Sequence, residues 1–293
     1  MIIVVTGPTG VGKTKLSISL AKKYNAEVIN GDSIQIYKGL DIGSAKVTKE
    51  EMDGVVHHLF DIRNVGEDYS IFDYQRDCRK KIEDITSRGK NVVIVGGTGL
   101  YIKSALFDYT LESDNKDSEL DNEYDGIDTN VLYDRLRSLD KDIDIDRNNR
   151  RRVIRALNYY LTYNKSISSN KSGNKLLYDD CVFIGLTTDR EMLYDRINKR
   201  VDIMVENGLL DEVRSFYEKG LKIDGIGYKE LYGYFDGNLS LNEAIELVKR
   251  NSRRYAKRQY TFFNHQFDIK WFSVNFSNFD ETIMGVCKYI DSK

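Results

Sequence analysis

Short apolar runs alternate with amphipathic segments along most of this chain of 293 residues. The runs that predict strands lie at residues 1–5, 27–30, 55–62, 91–95, 181–186 and 269–273. Apolar side chains at helical spacing follow several of these runs, and Thr188 with Glu191 predicts a capping box for the helix after the fifth run. Buried strands that alternate with helices are typical of a parallel sheet covered on both faces. The pattern predicts an α/β fold whose binding residues lie at the carboxyl ends of the strands.

The pattern changes between residues 108 and 175, where strand signals disappear and polar residues dominate. Apolar side chains at helical spacing predict two helices there, around residues 132–139 and 153–161, and a polar connector at residues 168–173 ends the segment. We therefore predict two domains. Residues 1–107 and 176–293 form the α/β core, a parallel sheet with helices on both faces, and residues 108–175 form a mainly helical insertion.

The small net charge of −2 hides an uneven distribution. Residues 108–146 hold 14 acidic against 4 basic side chains, so the remaining residues together carry +8. Two groups of basic side chains recur at helical spacing, which places each group on one helix face. The groups are Arg147, Arg151 and Arg155, and Arg250, Arg253, Arg254, Lys257 and Arg258. Like charges on one face repel each other, which predicts a polyanionic partner; a solvated face is the alternative.

Residues 7–14 read Gly-Pro-Thr-Gly-Val-Gly-Lys-Thr and match the P-loop pattern G-x-x-x-x-G-K-[ST] between a predicted strand and a predicted helix. In such a loop the backbone N–H groups surround a phosphate, the lysine neutralises it, and the hydroxyl of the last residue holds Mg²⁺. The predicted phosphate-binding residues are Gly7, Thr9, Gly10, Val11, Gly12, Lys13 and Thr14. Thr14 is also the predicted metal ligand.

The chain lacks a clear aspartate of the kind that holds Mg²⁺ in nucleotide-hydrolysing P-loop enzymes. The strand at residues 91–95 ends in Gly96-Gly97-Thr98-Gly99. The one candidate for such an aspartate is Asp61, which ends a shorter and less apolar run, residues 58–61. This weakens the case for a kinase or an ATPase. Asp32 lies about twenty residues after the P-loop, at the end of a predicted strand, where a carboxylate can accept a proton or a metal. A turn or helix cap is the alternative for Asp32.

Six ordered blocks make the chain resemble the tRNA dimethylallyltransferases. The first block is the P-loop, and the others are residues 32–46, 96–101, 151–157, 196–204 and 256–261. Together they span nearly the whole chain. An ordered set of this kind is far more specific than any one motif.

The resemblance implies transfer of a dimethylallyl group from dimethylallyl diphosphate to the exocyclic N6 of the adenine 3′-adjacent to the tRNA anticodon, with release of diphosphate. It implies Mg²⁺ as the cofactor and an insertion that binds the anticodon stem-loop. By position in the family's motifs, Asp32 is the general base, Thr98 positions the reacting groups, and Arg200 binds the diphosphate. The implied tRNA-binding residues are Asp32, Ser33, Ile34, Gln35, Arg151, Arg152 and Arg155, and residues 225–229 match a further contact.

Two other functions account for part of the pattern. A nucleoside or small-metabolite kinase would share the P-loop and the helix with Arg196 and Arg200, and it would consume ATP. A non-catalytic RNA-binding protein would use the basic side chains but would leave Lys13 and Asp32 without a role.

The remaining composition bears on the compartment and the partners. Three cysteines, Cys78, Cys181 and Cys287, form neither a disulfide framework nor a zinc motif and suit a reducing compartment. No apolar run approaches the roughly 18 residues of a membrane span. We expect a cytoplasmic protein that acts as a monomer, without a membrane partner.

Overall fold

The computed structural model describes residues 1–109, 123–169 and 175–293. The chain divides into two compact units. One unit comprises Met1–Leu106 and Tyr178–Lys293, and the other comprises Phe107–Leu177. Part of the acidic segment, residues 110–122, and most of the predicted polar connector, residues 170–173, lie outside the described residues.

Six parallel strands of the first unit form one sheet in the order β3-β2-β4-β1-β5-β6. The strands are β1 (Ile2–Thr6), β2 (Ala26–Asn30), β3 (His57–His58), β4 (Asn91–Val95), β5 (Cys181–Thr187) and β6 (Lys270–Ser273). In register, Val4 of β1 lies opposite Ile94 of β4 and Phe183 of β5. The predicted α/β class with a parallel sheet is confirmed.

Helices account for most of the remaining described residues. They are α1 (Lys13–Lys23), α2 (Lys49–Met52), α3 (Ile71–Ser87), α4 (Gly99–Leu106), α5 (Thr129–Leu139), α6 (Arg150–Tyr163), α7 (Arg190–Glu206), α8 (Leu209–Tyr217), α9 (Tyr228–Phe235), α10 (Leu241–Gln266) and α11 (Phe279–Ile290). A short 3₁₀ helix follows α6 at Ile167–Ser169.

The core lies on both faces of the central strands. Consecutive side chains of a strand point to opposite faces, and all four from Ile2 to Val5 are buried. One face packs against α1 through Leu16 and Leu20 and against α7 through Leu193. Burial on both faces explains why the central strands β1 and β4 are continuous apolar runs instead of alternating ones.

Strand β3 is much shorter than the sequence predicts. The prediction was a strand over residues 55–62, but only His57–His58 pairs, with Val28 and Ile29 of β2. Leu59 and Asp61 have φ angles of 63° and 54°. An extended strand cannot contain residues in this left-handed region, so the apolar run continues as a loop.

The predicted capping box at Thr188 and Glu191 is wrong. Helix α7 begins at Arg190, and Asp189 is its N-cap residue. A capping box requires the glutamate at the third helical position, whereas Glu191 is the second helical residue. The Thr188 hydroxyl donates instead to the Met192 sulfur at 3.4 Å.

In the second unit, α5 and α6 pack through a small core. Leu132, Leu136, Val153 and Leu157 are buried in it, as the spacing predicts. The outer members of the predicted series, Leu139 and Leu161, are 38% and 46% exposed.

The spacing predicts that Arg147 shares a helix face with Arg151 and Arg155. In the structure Arg147 lies outside that helix, so this prediction is wrong. Helix α6 begins only at Arg150, where the Asn149 side chain accepts a hydrogen bond from the Arg152 N–H and caps the first turn. Arg147 precedes the helix and donates to the Asn130 side chain.

Candidate active site

The P-loop connects the end of β1 to the start of α1. Gly10 and Gly12 have φ angles of 85° and 93°, which L side chains rarely adopt, and Gly12 is the N-cap residue of α1. At Gly7 a Cβ would lie 2.5 Å from the carbonyl oxygen of Leu186. These glycines let the loop turn tightly against β5 and point its N–H groups, together with the helix N-terminus, toward one anion site.

Lys13 lies over this loop. Its Nζ donates to the carbonyl oxygens of Gly7 and Pro8 at 3.0 and 2.8 Å. Burial, followed by repulsion from Arg200, lowers the pKa of Lys13 to about 7, and the nearby Asp32 carboxylate opposes part of this decrease. A bound anion would stabilise the ammonium form.

Asp32 follows β2 in a turn that the Asn30 side chain fixes. The Asn30 amide accepts from the Asp32 N–H and donates to the Asp32 carbonyl, both at 2.9 Å. Asp32 Oδ1 accepts from the Ile34 N–H at 3.2 Å, so the turn-cap alternative is also realised. Oδ2 has no hydrogen-bond donor in the described part of the chain. One oxygen thus orients the carboxylate while the other remains available.

Burial raises the pKa of Asp32, and the Ile34 N–H and the charges of Lys13 and Arg200 offset part of this increase. A carboxylate acts as a base only when it is deprotonated. A reaction that uses Asp32 as a base is therefore lost as the pH falls through this raised pKa, at a higher pH than for an ordinary aspartate.

Thr98 joins the ends of two neighbouring strands. It follows β4, its Oγ1 accepts from the Ser33 N–H at 3.0 Å, and its own N–H donates to the Gly31 carbonyl at 3.0 Å. The Thr98 side chain therefore positions the segment that contains Asp32.

Two arginines of α7 approach the P-loop. Arg196 donates to the Gly10 carbonyl at 2.9 Å and stacks on the Phe276 ring. Arg200 has no hydrogen-bond partner within residues 1–109, 123–169 and 175–293, and burial lowers its pKa. A guanidinium group removed from water without a partner is unfavourable, so this position favours binding of an anion.

A cavity of about 760 Å³ brings these groups together in the first unit. Of the predicted residues, its wall includes Thr9, Gly10, Gly12, Lys13, Thr14, Asp32, Ser33, Ile34, Gln35 and Arg200. Gly7 and Thr98 are not part of this wall, and the Val11 side chain packs in the core. The other predicted tRNA-binding residues, Arg151, Arg152 and Arg155, are exposed on α6 in the second unit.

The residues of the cavity wall suit Mg²⁺ only when a bound diphosphate supplies further ligands to the ion. The Thr14 side chain and the Asp32 carboxylate line the same cavity. No group of three or more histidines, cysteines or acidic residues within the described residues suits a metal. Mg²⁺ commonly keeps waters and phosphate oxygens as ligands and needs few from the protein. Asp61, the weak sequence candidate for an Mg²⁺-binding aspartate, forms an ion pair with Lys46 at 2.6 Å and is not part of the cavity wall.

Glu212 of α8 is a site residue that the sequence analysis missed. Its carboxylate accepts from the backbone N–H groups of Asp41, Ile42 and Gly43 at 2.7–3.0 Å and from the Tyr228 hydroxyl at 2.6 Å. Gly43 and the segment next to Tyr228, residues 224–227, both line the cavity. One carboxylate therefore fixes two loops of the cavity wall.

We expect Glu212→Ala to lower the free energy of unfolding by about 2–4 kcal/mol, because it leaves three backbone donors and a buried hydroxyl without their acceptor. Urea denaturation measures this loss. Glu218→Ala, at the exposed end of the same helix, is the matched control and should change stability by less than about 0.5 kcal/mol. Equal stabilities of the two variants would contradict the assigned role.

The chain thus has a P-loop on a parallel sheet, with a carboxylate and an arginine in the wall of the same cavity, which defines a P-loop α/β protein. Residues 35–266 match the family model described as IPP transferase. The chain belongs to this family, which confirms the resemblance seen in the sequence.

Curated relatives cover nearly the whole chain. It is 50% identical over 285 residues to a tRNA dimethylallyltransferase from Bacillus pumilus, covering 93% of this chain and 89% of the relative. A tRNA dimethylallyltransferase from Bacillus anthracis is 48% identical over an alignment of 304 positions that covers 100% of this chain and 96% of the relative.

Solved structures agree with these relatives. A tRNA isopentenylpyrophosphate transferase from Staphylococcus epidermidis superposes with a TM-score of 0.74 at 42% identity, covering 100% of this chain and 99% of that one. A eukaryotic dimethylallyltransferase described as acting on tRNA superposes with a TM-score of 0.86 at 32% identity, covering 98% of this chain and 77% of that one.

No helix in the described ranges is both long enough and apolar enough to cross a membrane.

Proposed function

We propose that this chain transfers a dimethylallyl group from dimethylallyl diphosphate to N6 of the adenine 3′-adjacent to the tRNA anticodon and releases diphosphate. The observation that carries the proposal is the position of Asp32. This carboxylate, with a raised pKa and one oxygen without a donor in the described chain, lies in the wall of the same cavity as the P-loop and Arg200.

The chemistry needs each of these groups. An adenine amine is a weak nucleophile, so the reaction depends on close alignment, a base and stabilisation of the leaving group. Lys13, Arg200 and the N–H groups of the P-loop bind the diphosphate and stabilise the charge that develops as the C1–O bond breaks. Asp32 removes a proton from N6 as the new N6–C1 bond forms.

Mg²⁺ would bind the diphosphate with the hydroxyl of Thr14 and supply further positive charge to the leaving group. No nucleoside triphosphate is consumed in this scheme. The kinase alternative has less support because β4 ends in Gly96-Gly97, without an aspartate for Mg²⁺ at that strand end.

Binding of tRNA involves two sets of residues in this proposal. Ser33, Ile34 and Gln35 line the cavity beside Asp32, and the Gln35 amide is fixed by the Ser44 carbonyl at 3.1 Å. The exposed arginines of α6 belong to the insertion, which we propose to bind the anticodon stem. The target base must leave its stack to reach Asp32, which is least costly in a single-stranded loop. A tRNA substrate also suits the expected cytoplasmic location, and we propose that one copy of the chain suffices.

The test is to incubate bulk tRNA that lacks this modification with labelled dimethylallyl diphosphate and Mg²⁺. Nucleoside mass analysis should find the label on adenine. Absence of label from every tRNA that carries an unmodified adenine at this position would contradict the proposal, and ATP consumption in a coupled assay would favour the kinase.

The pKa of Lys13 predicts how donor binding depends on pH. In the free enzyme the ammonium form prevails below about pH 7, and a bound diphosphate raises the pKa. Above pH 7 Lys13 of the free enzyme is mostly neutral, so donor binding takes up a proton. The Kd should therefore rise by up to about tenfold per pH unit until the pH reaches the pKa of Lys13 in the complex. Calorimetry at pH 8 in two buffers of different ionisation enthalpy measures this uptake. Lys13→Arg, which stays charged, should show none.

A further inference from the structure

The chain between the end of β6 and the start of α11 contacts the P-loop at two points. The Phe276 ring centroid lies 3.8 Å from Cζ of Arg196, and Arg196 Nε donates to the Gly10 carbonyl at 2.9 Å. Phe279 lies against Gly12, where a Cβ would come within 2.6 Å of its ring. Both phenylalanine rings also pack against the hydrophobic core. The P-loop is thus connected to the core through these two rings.

Asn275 fixes the shape of this connection. Its Oδ1 accepts from the N–H groups of Ser277 and Asn278, both at 3.0 Å, and its own N–H donates to the Thr282 hydroxyl at 3.0 Å. These bonds hold the backbone on both sides of Phe276. The ring therefore keeps a defined position and does not have to be ordered when a ligand binds.

The hydrogen bond from Arg196 orients one peptide group of the P-loop. In a planar trans peptide the carbonyl and the following N–H point in opposite directions. The Gly10 carbonyl points to Arg196, so the Val11 N–H points to the opposite side of the peptide. Because glycine adopts more backbone conformations than other residues, this peptide is easily reoriented unless a contact holds it.

Resting on the proposed function, we propose that Phe276 is a positioning residue for the diphosphate of the donor. Its ring holds the guanidinium group of Arg196, Arg196 holds the Gly10 carbonyl, and the Val11 N–H is thereby directed to the diphosphate before the donor binds. A donor that is already oriented stabilises the developing charge without the cost of reorientation. Arg196 also lines the cavity, so direct attraction of the anion by its charge is the competing explanation.

Two substitutions at Arg196 separate these explanations. Arg196→Gln and Arg196→Met both remove the charge, but only glutamine places a nitrogen donor at the chain position of the arginine Nε. Calorimetry with dimethylallyl diphosphate and with inorganic diphosphate, in the presence of Mg²⁺, measures the Kd values. Arg196→Met should bind both ligands about 3- to 10-fold more weakly than Arg196→Gln, which corresponds to one hydrogen bond. Equal Kd values of the two variants would show that Arg196 acts through its charge alone and would overturn the proposal.

A double-mutant cycle tests the role of Phe276 itself. Phe276→Leu should raise the Kd for dimethylallyl diphosphate by about 3- to 10-fold in the wild-type background. In the Arg196→Met background the same substitution should change the Kd by less than about twofold, because no guanidinium group remains to be held. A merely structural role would raise the Kd by the same factor in both backgrounds, and that result would overturn the proposal.

The control is Phe272→Leu, which removes a ring of β6 that packs against the same core and is not part of the cavity wall. It should leave the Kd within about twofold of the wild-type value. If Phe276→Leu fails to fold, Phe276→Met, which fills more of the same space without an aromatic face, replaces it in the cycle with the same two outcomes. A wild-type enzyme that binds neither dimethylallyl diphosphate nor inorganic diphosphate would instead contradict the proposed function.

Discussion

Replacing Asp32 by alanine is expected to lower kcat by about 10²- to 10⁴-fold, because the weakly nucleophilic amine then loses its proton acceptor. The affinity for dimethylallyl diphosphate should be unchanged or higher, since a negative charge near Lys13 and Arg200 is removed. Binding of tRNA should stay nearly intact. Single-turnover kinetics at saturating substrates measure the loss, and calorimetry measures the affinity for the donor.

Asp32→Asn is the matched control for shape. Asparagine can still accept the Ile34 N–H with its oxygen, so the turn after β2 should persist while the base is absent. Both variants should be equally slow. Normal single-turnover chemistry combined with lost tRNA binding would show that Asp32 serves recognition and would exclude its role as the base.

Arg200→Gln is expected to raise the Kd for dimethylallyl diphosphate by about 10²- to 10³-fold, because the buried guanidinium group is available to the anion and lacks another hydrogen-bond partner in the described chain. The variant should be no less stable than the wild type, since it removes a poorly solvated charge. Arg190→Gln, at the exposed start of the same helix, should leave the Kd unchanged. A destabilised variant with normal affinity would identify Arg200 as a structural residue instead.

The sequence predicts well those features that are determined by residues close together in the chain. The P-loop is a contiguous motif whose glycines are required by local backbone geometry, and β4 is a five-residue strand in the sheet between Gly89-Lys90 and Gly96-Gly97. Asp32 is predictable because its strand ends at the same sheet edge as the P-loop. Local backbone preferences and strand burial suffice for these features.

The features that the sequence does not predict depend on contacts between distant segments. Glu212 lies about 170 residues from the loop that it binds, and a single glutamate in an amphipathic helix gives no sign of such a contact. Gln259 of α10 donates to the Gly97 carbonyl across 162 residues of sequence, and no local pattern indicates this contact. The short β3 depends on left-handed residues that hydrophobicity alone does not indicate.

The strand order also bears on when the chain becomes active during synthesis. The P-loop is translated first, but β1 lies between β4 and β5, and β5 begins only at Cys181. Arg200 and Gln259 follow later still. Because parallel pairing of distant strands requires long chain closures, folding of the sheet is delayed until most of the chain has left the ribosome. A nascent chain therefore contains the P-loop sequence long before the cavity around it is complete, and premature termination before α10 would yield fragments that lack part of the cavity wall.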